Sequence, residues 1–421
     1  MALSKEKMKT VTAAIDLKAF YSFVECLDRH LDPFTTPLVV CDVERGPGTI
    51  VLSVTPYLKA LGVPSRLRKR ELPKRDDIIF AVPRMARYIE MSAKVVSIFL
   101  DFVGEDDLHV YSIDESFLNL GPYLKLYKAT PRQLVRRILD KIKKDTGLFA
   151  TAGISENLFL AKSALEFEGK KKPDGIGEWT KEDVKTKLWP ISPLSKMWGI
   201  SSHLEKRLND IGITTIGELA NADEELLIKF FGVIGKDLRD HANGIDDSNI
   251  REKYIPKETS LSNGQSLFRD YTKAEMPTLI REMSDDLALR LRLEGKKTSL
   301  VALMIGYSYT IGGGFSRQLT LVKSTSDNDL IFDGLMTLYS KFCEDKPIRG
   351  VHIAFGKLSP DNCEQLDLFA EPNEQISKKI LRATLDEIIV RFGRDSILRG
   401  SALLEESNVI KRHGQIGGHR K

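Results

Sequence analysis

Cysteine is scarce in this chain: four residues in 421, Cys26, Cys41, Cys343 and Cys363, with no C-x-x-C pair among them. A disulfide framework and a structural zinc site are therefore not expected. The seven histidines show no ligand spacing either. No run approaches the roughly 18 uncharged apolar residues that a membrane span needs, and the opening "MALSKEKMKTVTAAID" lacks the apolar core of a secretory signal. These absences point to the cytosol. A strong net charge is missing as well, since +4 is modest for a nucleic-acid binder. What the chain does have is length and 42% hydrophobic residues, enough for several packed domains at roughly 100–200 residues each.

The distribution of charge says more than its sum. Between Pro56 and Arg75, Lys59, Arg66, Arg68, Lys69, Arg70, Lys74 and Arg75 face only Glu71. Such a run is either a solvated loop or an electrostatic footprint for a polyanion. Around it, "VTAAID" reads as a strand and "KAFYSFVECLDRHL" as a helix. After it come a helix over "RMARYIEMSAKVVSIFLDFV", strands at "LHVYSI" and "SFLNL", a helix, and a strand at "LFATAGIS". That second helix is "TPRQLVRRILDKIKKDTG", with Thr130 as N-cap, Pro131 at the first helical position and Gly147 as its stop. With the basic insertion set aside, the order is βαββαβ, a sheet with helices on one face. The same order recurs near the C-terminus. There a helix carries Met276, Leu279, Ile280, Met283, Leu287 and Leu291, and the central hairpin turns on "IGGG" without any acid.

In the first unit, by contrast, "YSIDESFLNL" sets Asp114 and Glu115 side by side in an apolar run. Neighbouring residues of a regular strand point to opposite faces, so only a turn or bulge can aim both at one target. Asp16 ends the first strand of the same sheet. Three carboxylates brought together repel, an arrangement that divalent cations make tolerable. Two magnesium ions held in this way organise an in-line attack on phosphorus. Any one of these acids taken alone would be a strand-end solubiliser.

Other segments extend the pattern. In "DLKAFYSFVE" a helix starts just after Asp16 and presents its amides to phosphates, with Phe20 and Tyr21 near a sugar; a bulky ring there excludes a 2′-hydroxyl. The bland reading of Phe20 and Phe23 is core. Lys162, in "GISENLFLAKSALEFEGKKKPDG", lies one to two turns into a helix and is placed to neutralise phosphate. "MWGISSHLEKRLNDIGITTIGELA" has the form of a helix-hairpin-helix opened by Gly199 and Ser201, with a looser copy at Gly232 and Gly235. Hairpin amides of that kind grip backbone phosphates without reading bases. Finally, "CEQLDLFAE" groups Gln365, Leu366, Leu368 and Phe369 as apolar anchors bracketed by acids, suited to a partner pocket.

Together these segments resemble the Y-family translesion DNA polymerases, in the bacterial UmuC-like branch, from "AAIDLKAFYSFVE" through "YSIDESFLNL", "TAGISENLFLAKSALE" and "KKPDGI" to "QIGGH". The resemblance implies an α+β right-hand polymerase. Its ferredoxin-like palm would span 1–27 and 84–178, small fingers 28–83, a helix-hairpin-helix thumb 179–250, a βαββαβ little finger 255–405 and a tail 406–421. It makes Asp16, Asp114 and Glu115 the catalytic metal carboxylates, holding two Mg2+ with the Leu17 carbonyl. Tyr21 becomes the steric gate, Phe20 the sugar-pocket lining and Lys162 a triphosphate contact.

Lys59 takes the place of a fingers arginine in "SVTPYLKALGV", where Pro56 replaces a tyrosine; it keeps the charge but not the bidentate fork. "QLDLF" resembles the peptide that docks on the sliding clamp. The implied partners are primer-template DNA, deoxynucleoside triphosphates and the clamp, with a recombinase filament or accessory SOS subunits as further candidates and no membrane. The implied function is low-fidelity, template-directed synthesis during DNA repair or the SOS response. A catalytically silent DNA- and clamp-binding regulator on the same fold is the alternative, and the intact acidic trio counts against it.

Overall fold

The computed structural model describes residues 10–252, 255–256, 259–361 and 372–421. It divides into two compact units, Met1–Tyr254 and Ile255–Lys421. In the first, β1 (Thr12–Leu17) and α1 (Phe20–Asp28) precede β2 (Leu38–Val40), β3 (Ser53–Val54), α2 (Pro56–Ala60) and β4 (Ile79–Ala81). Then come α3 (Met85–Leu100), β5 (Leu108–Val110), β6 (Glu115–Asn119), α4 (Leu124–Tyr127), α5 (Pro131–Thr146), β7 (Ala150–Ser155), α6 (Leu158–Ala164) and β8 (Ile176–Glu178). The main sheet has the order β5-β6-β1-β7-β8. Its first four strands are antiparallel neighbours, and β8 joins in parallel to β7. This is the ferredoxin-like order, extended by one strand.

Alternation along β1 separates two environments. Ala13, Ile15 and Leu17 face a core shared with Phe23, Tyr88, Val95, Ile138 and Ile142 of α1, α3 and α5. Ala14 faces the other side, against Phe117, Ala161 and Leu165. Burying each of the larger side chains, such as Ile15, Leu17 and Phe117, contributes about 1.5–3 kcal/mol, which pins the register and hence the face on which Asp16 emerges. α5 starts and stops as its sequence dictates. Thr130 Oγ1 accepts from the Gln133 N–H at 3.3 Å while the Thr130 N–H donates to Gln133 Oε1 at 3.0 Å, and Gly147 closes the helix at φ 74°. The basic insertion folds separately as the sheet β3-β2-β4 over a small core of Val39, Val54 and Leu58.

The chain continues into α7 (Ser202–Asn209), α8 (Ile216–Asn221), α9 (Glu224–Phe231) and α10 (Val233–Ala242), packed around Trp179, Leu188, Leu208, Leu219 and Leu238. The segment after them is tied back within the same unit: Arg251 donates two 2.7 Å hydrogen bonds to the buried Asp107 carboxylate.

The second unit runs β9 (Leu261–Tyr271), α11 (Met276–Leu293), β10 (Lys296–Tyr307), β11 (Gly314–Thr325), α12 (Asn328–Phe342) and β12 (Ile348–Pro360). Its sheet order is β11-β10-β12-β9, antiparallel throughout. The element order matches that of the first unit, but here the fourth strand, not the third, lies between the first and second. Beyond come α13 (Pro372–Phe392), α14 (Val409–His413) and the short pair β13 (Gln415–Ile416) and β14 (His419–Arg420). The stretch 406–421, expected as a separate tail, packs on α11: Ser407 Oγ donates to Glu282 Oε1 at 2.5 Å, and Arg412 Nη2 to Asp286 Oδ2 at 2.7 Å. Gln365, Leu366, Leu368 and Phe369 lie outside the described residues.

Candidate active site

Strand register brings the acids together. Asp16 of β1 stands directly opposite Glu115, the first residue of β6, so both side chains leave the same face of the sheet. Asp114 belongs to the preceding turn, outside the alternation. The Tyr111 and Ser112 N–H groups both donate to the Glu115 carbonyl at 3.0 Å, and the Leu17 N–H donates to the Asp114 carbonyl at 2.8 Å. The turn thus swings Asp114 to the end of β1, which answers how adjacent acids reach one place. Ser112 Oγ donates to Asp114 Oδ1 at 2.8 Å.

Two lysines complete the cluster. Lys162 Nζ donates to Glu115 Oε2 at 2.7 Å and to Glu166 Oε1 at 2.9 Å. Glu115 Oε1 lies 2.6 Å from the same nitrogen, so the ammonium sits across both carboxylate oxygens. Lys170 Nζ bridges Glu166 Oε1 at 2.7 Å and Asp16 Oδ2 at 3.3 Å. Burial pushes the Asp16 carboxyl up to about 6; Lys170 pulls against that shift, while Asp114, Glu115 and Glu166 reinforce it. Burial also works against the charge on Lys162, but Glu115 and Glu166 outweigh it and the ammonium is held above its usual range.

Three glycines make this possible. A Cβ on Gly153 would fall 2.1 Å from the Ala161 carbonyl oxygen, one on Gly169 2.3 Å from that of Ala152, and one on Gly177 2.3 Å from that of Ala164. Backbone therefore lies on backbone where α6 and the π-helical turn Leu165–Gly169 cross β7 and β8. The π turn, closed by the Lys170 N–H on the Leu165 carbonyl at 2.9 Å, underwinds the helix. Positions 162, 166 and 170 consequently stay on one stripe above the acids.

Lys59 of α2 is solvent-exposed. Desolvation draws its ammonium below the usual range, and the fields of Asp16 and Asp114 oppose that shift. Tyr21 is partly buried, its hydroxyl raised by burial and then by Asp114, and its ring lies 4.8 Å from that of Tyr88. Phe20, expected to line a sugar pocket, is 2% exposed and packs 5.5 Å from Tyr21 and 6.4 Å from Tyr88. It faces the core and backs Tyr21, because α1 turns that side onto the sheet. Leu17 is buried at the end of β1.

A cleft of about 720 Å3 opens beside Lys162 and Glu166, with Phe167 and Lys171 on one wall and Lys196 and Trp198 on another. Trp198 stacks on Phe117 and Phe159 at 6.1 and 6.5 Å and meets Tyr111 edge-on at 5.9 Å. This aromatic column joins the acidic turn to the turn before α7. Gly199 there has φ 94°, and Ser201 caps α7, its Oγ accepting from the Leu204 N–H at 3.2 Å. Gly232, φ 66°, separates α9 from α10. Gly235 serves packing: its N–H bonds the Gly232 carbonyl, and a Cβ would fall 2.4 Å from the Leu227 carbonyl oxygen.

With this geometry in place, the comparisons with known proteins are specific. Profiles of the impB/mucB/samB family match residues 15–166, its C-terminal domain 258–368, and its helix-hairpin-helix motif 181–213. The UV-damage repair protein UvrX of Bacillus subtilis is 37% identical over 96% of both chains. The chain belongs to the impB/mucB/samB family, the UmuC-like Y-family polymerases. DNA polymerase IV 2 of Bacillus subtilis is 32% identical over 100% of both chains, and DNA polymerase IV of Pelotomaculum thermopropionicum 31% over 95% of this chain and 97% of its own. A solved Y-family polymerase chimera of Dbh and Dpo4 shares the fold, with a TM-score of 0.66 at 18% identity over 82% of this chain and 98% of that one. The first unit thus holds the palm, fingers and helix-hairpin-helix thumb, and the second the little finger.

Y-family polymerases are metal-dependent nucleotidyltransferases acting on primer-template DNA and nucleotides. Among the described residues no three or more His, Cys, Asp or Glu side chains close on one point as a metal cage. The two lysines sit on Glu115 and Asp16, and Asp114 leans on Ser112. The donor set still fits magnesium. It is hard carboxylate oxygen, and magnesium uses one or two carboxylates plus phosphates and water. Glu166 and Lys170 escaped the sequence reading. Their signal was spacing, a charged stripe at Lys162, Glu166 and Lys170.

Proposed function

We propose that this protein is a template-directed DNA polymerase that copies past damaged bases, acting in the cytoplasm during DNA repair or the SOS response. The observation that carries the reading is the register of Asp16 on Glu115, with Asp114 delivered by the turn beside them, on a palm sheet next to a cleft that leads to the helix-hairpin-helix turn. Two magnesium ions, held by Asp16, Asp114 and Glu115 with the Leu17 carbonyl, would activate the primer 3′-hydroxyl and stabilise charge on the departing pyrophosphate. Lys59 and Lys162 are placed to receive triphosphate oxygens, Lys162 leaving Glu115 to do so. Tyr21 presents its ring where a ribose 2′-hydroxyl would project, and Phe20 and Tyr88 hold that ring from behind.

The amides around Gly199 and the α7 cap at Ser201 suit the primer backbone, and Gly232 offers a second such turn. Small fingers over 28–83 enclose the nascent pair loosely, trading discrimination for tolerance of distorted templates. The peptide Gln365–Phe369, read from sequence alone, is assigned to the sliding clamp. Primer extension on undamaged and lesion-bearing templates tests the reading. Wild type should extend both with magnesium, and Asp114→Ala should extend neither while folding normally. Losing several kcal/mol of charge stabilisation corresponds to roughly a thousandfold in rate. A wild type that binds primer-template but never extends it would replace this reading with the silent regulator.

A further inference from the structure

Asp16, Asp114, Glu115 and Glu166 set four negative charges around one end of the palm sheet, and Lys162, Lys170 and Lys59 answer with three positive ones. Lys162 and Lys59 account for themselves as phosphate contacts. Lys170 is the group whose ammonium touches Asp16, at 3.3 Å. It also reaches Glu166 at 2.7 Å. Glu166 in turn lies 2.9 Å from Lys162, so one carboxylate links the two lysines that sit on the two facing acids. The π turn and the glycine contacts below it fix the backbone of this stripe. The end of the Lys170 side chain is free to choose between Asp16 and Glu166, because a lysine stem carries several rotatable bonds.

We propose that Lys170 is a built-in counter-cation on Asp16 which a divalent ion must displace, and that Glu166 is the acceptor that takes it. Resting on the assignment of Asp16, Asp114 and Glu115 as the metal carboxylates, this makes Lys170 and Glu166 positioning residues that set how tightly the palm holds its first ion. The logic is competition. An ammonium and a divalent cation cannot share the same carboxylate oxygens at contact distance without strong repulsion. An ammonium with a second carboxylate one helical turn away can withdraw without becoming an unpaired charge near the sheet. The pair also keeps mutually repelling acids folded when no divalent ion is bound.

The test is Mn2+ titration of the full-length protein without nucleotide, followed by the electron paramagnetic resonance signal of free Mn2+, with thermal unfolding in EDTA and in Mn2+ as a second readout. Lys170→Met should tighten Mn2+ roughly fivefold, the scale of a partly exposed ion pair. It should also lower the melting temperature in EDTA more than in Mn2+. Glu166→Gln should weaken Mn2+ by a similar factor, since Lys170 then has only Asp16. Lys171→Met removes the same charge one residue along and should leave the affinity within twofold. Equal affinities for Lys170→Met and wild type, or equal changes for Lys170→Met and Lys171→Met, would overturn the proposal while leaving the metal carboxylates intact. A wild type whose Mn2+ binding is indifferent to Asp16→Asn would overturn the carboxylate assignment itself.

Discussion

The palm and the little finger build the same succession of strands and helices, and they differ in what lies between helix and sheet. In the palm, Gly153, Gly169 and Gly177 let a helix rest backbone to backbone on β7 and β8, with Cβ positions 2.1–2.3 Å from carbonyl oxygens. In the little finger, Gly334 of α12 faces the sheet across side chains, with Leu321 Cδ2 at 2.8 Å and Val301 Cγ2 at 3.2 Å. The first arrangement is rigid and brings charged side chains down onto strand ends. The second is a cushioned core. Their central turns differ in the same sense: Tyr111–Asp114 delivers an acid, whereas Gly312 and Gly313, both at positive φ, only reverse the chain. Element order therefore does not assign chemistry; close approach and turn content do.

The sharpest way to break this comparison is a matched pair of glycine substitutions. Gly153→Ala should cost about 3 kcal/mol, because a methyl driven into a carbonyl oxygen forces backbone apart. It should also abolish primer extension by lifting Lys162, Glu166 and Lys170 from the acids. Gly334→Ala meets the far end of a leucine and should cost less than about 1 kcal/mol with extension retained. Thermal unfolding and extension assays on both variants check this, and equal costs would erase the distinction between rigid and cushioned packing.

Next in size is Tyr21→Ala. Its ring is partly buried at the start of α1, whereas Met276, Leu279 and Ile280 at the start of α11 are all fully buried. Removing the ring should raise ribonucleotide use relative to deoxyribonucleotide by roughly a hundredfold, the scale at which a pocket tells a hydroxyl from its absence. Stability should hardly change. Measured incorporation ratios decide it, and an unchanged ratio would remove Tyr21 from sugar selection.

Much of the fold was legible because local signals agreed with global ones. Thr130, Pro131 and Gly147 bounded α5 to the residue, and the spacing of Met276 to Leu291 gave the buried face of α11. "YSIDES" already posed the geometric problem that the turn solves. Other features stayed hidden, each for a physical reason. The spacing of Lys162, Glu166 and Lys170 is visible in the sequence, but the π turn that holds the stripe over the acids is not. Phe20 stays open between sugar pocket and core in the sequence, because helical spacing in α1 does not say which side meets the sheet. The packing of 406–421 on α11 rests on ion pairs distant in sequence, such as Arg412 with Asp286, and these leave no local pattern.

The smallest expected effect concerns that last packing, and it separates the two units by pH. His413 Nε2 lies 3.1 Å from Asp286 Oδ1 and Nδ1 2.6 Å from Asp395 Oδ1. The hydrogen bond to Asp286 raises its pKa above the ordinary 6.5; burial opposes, Asp395 adds to the rise, and Arg412 opposes it. A histidine whose folded pKa is raised contributes stability that is fully present below its unfolded pKa and lost as pH climbs through the folded value. The little finger should therefore loosen between about pH 6.5 and the raised pKa, by no more than about 1 kcal/mol, as partly exposed ion pairs do. His413→Asn should flatten that slope, lowering stability at pH 6 while leaving it nearly unchanged at pH 9. Hydrogen exchange of α11 and α14 at the two pH values, corrected for intrinsic rates, reads the difference. Protection that fell equally at both would mean that His413 contributes shape and not charge. A change confined to the palm helices would mean that the two units do not divide their roles as their packing indicates.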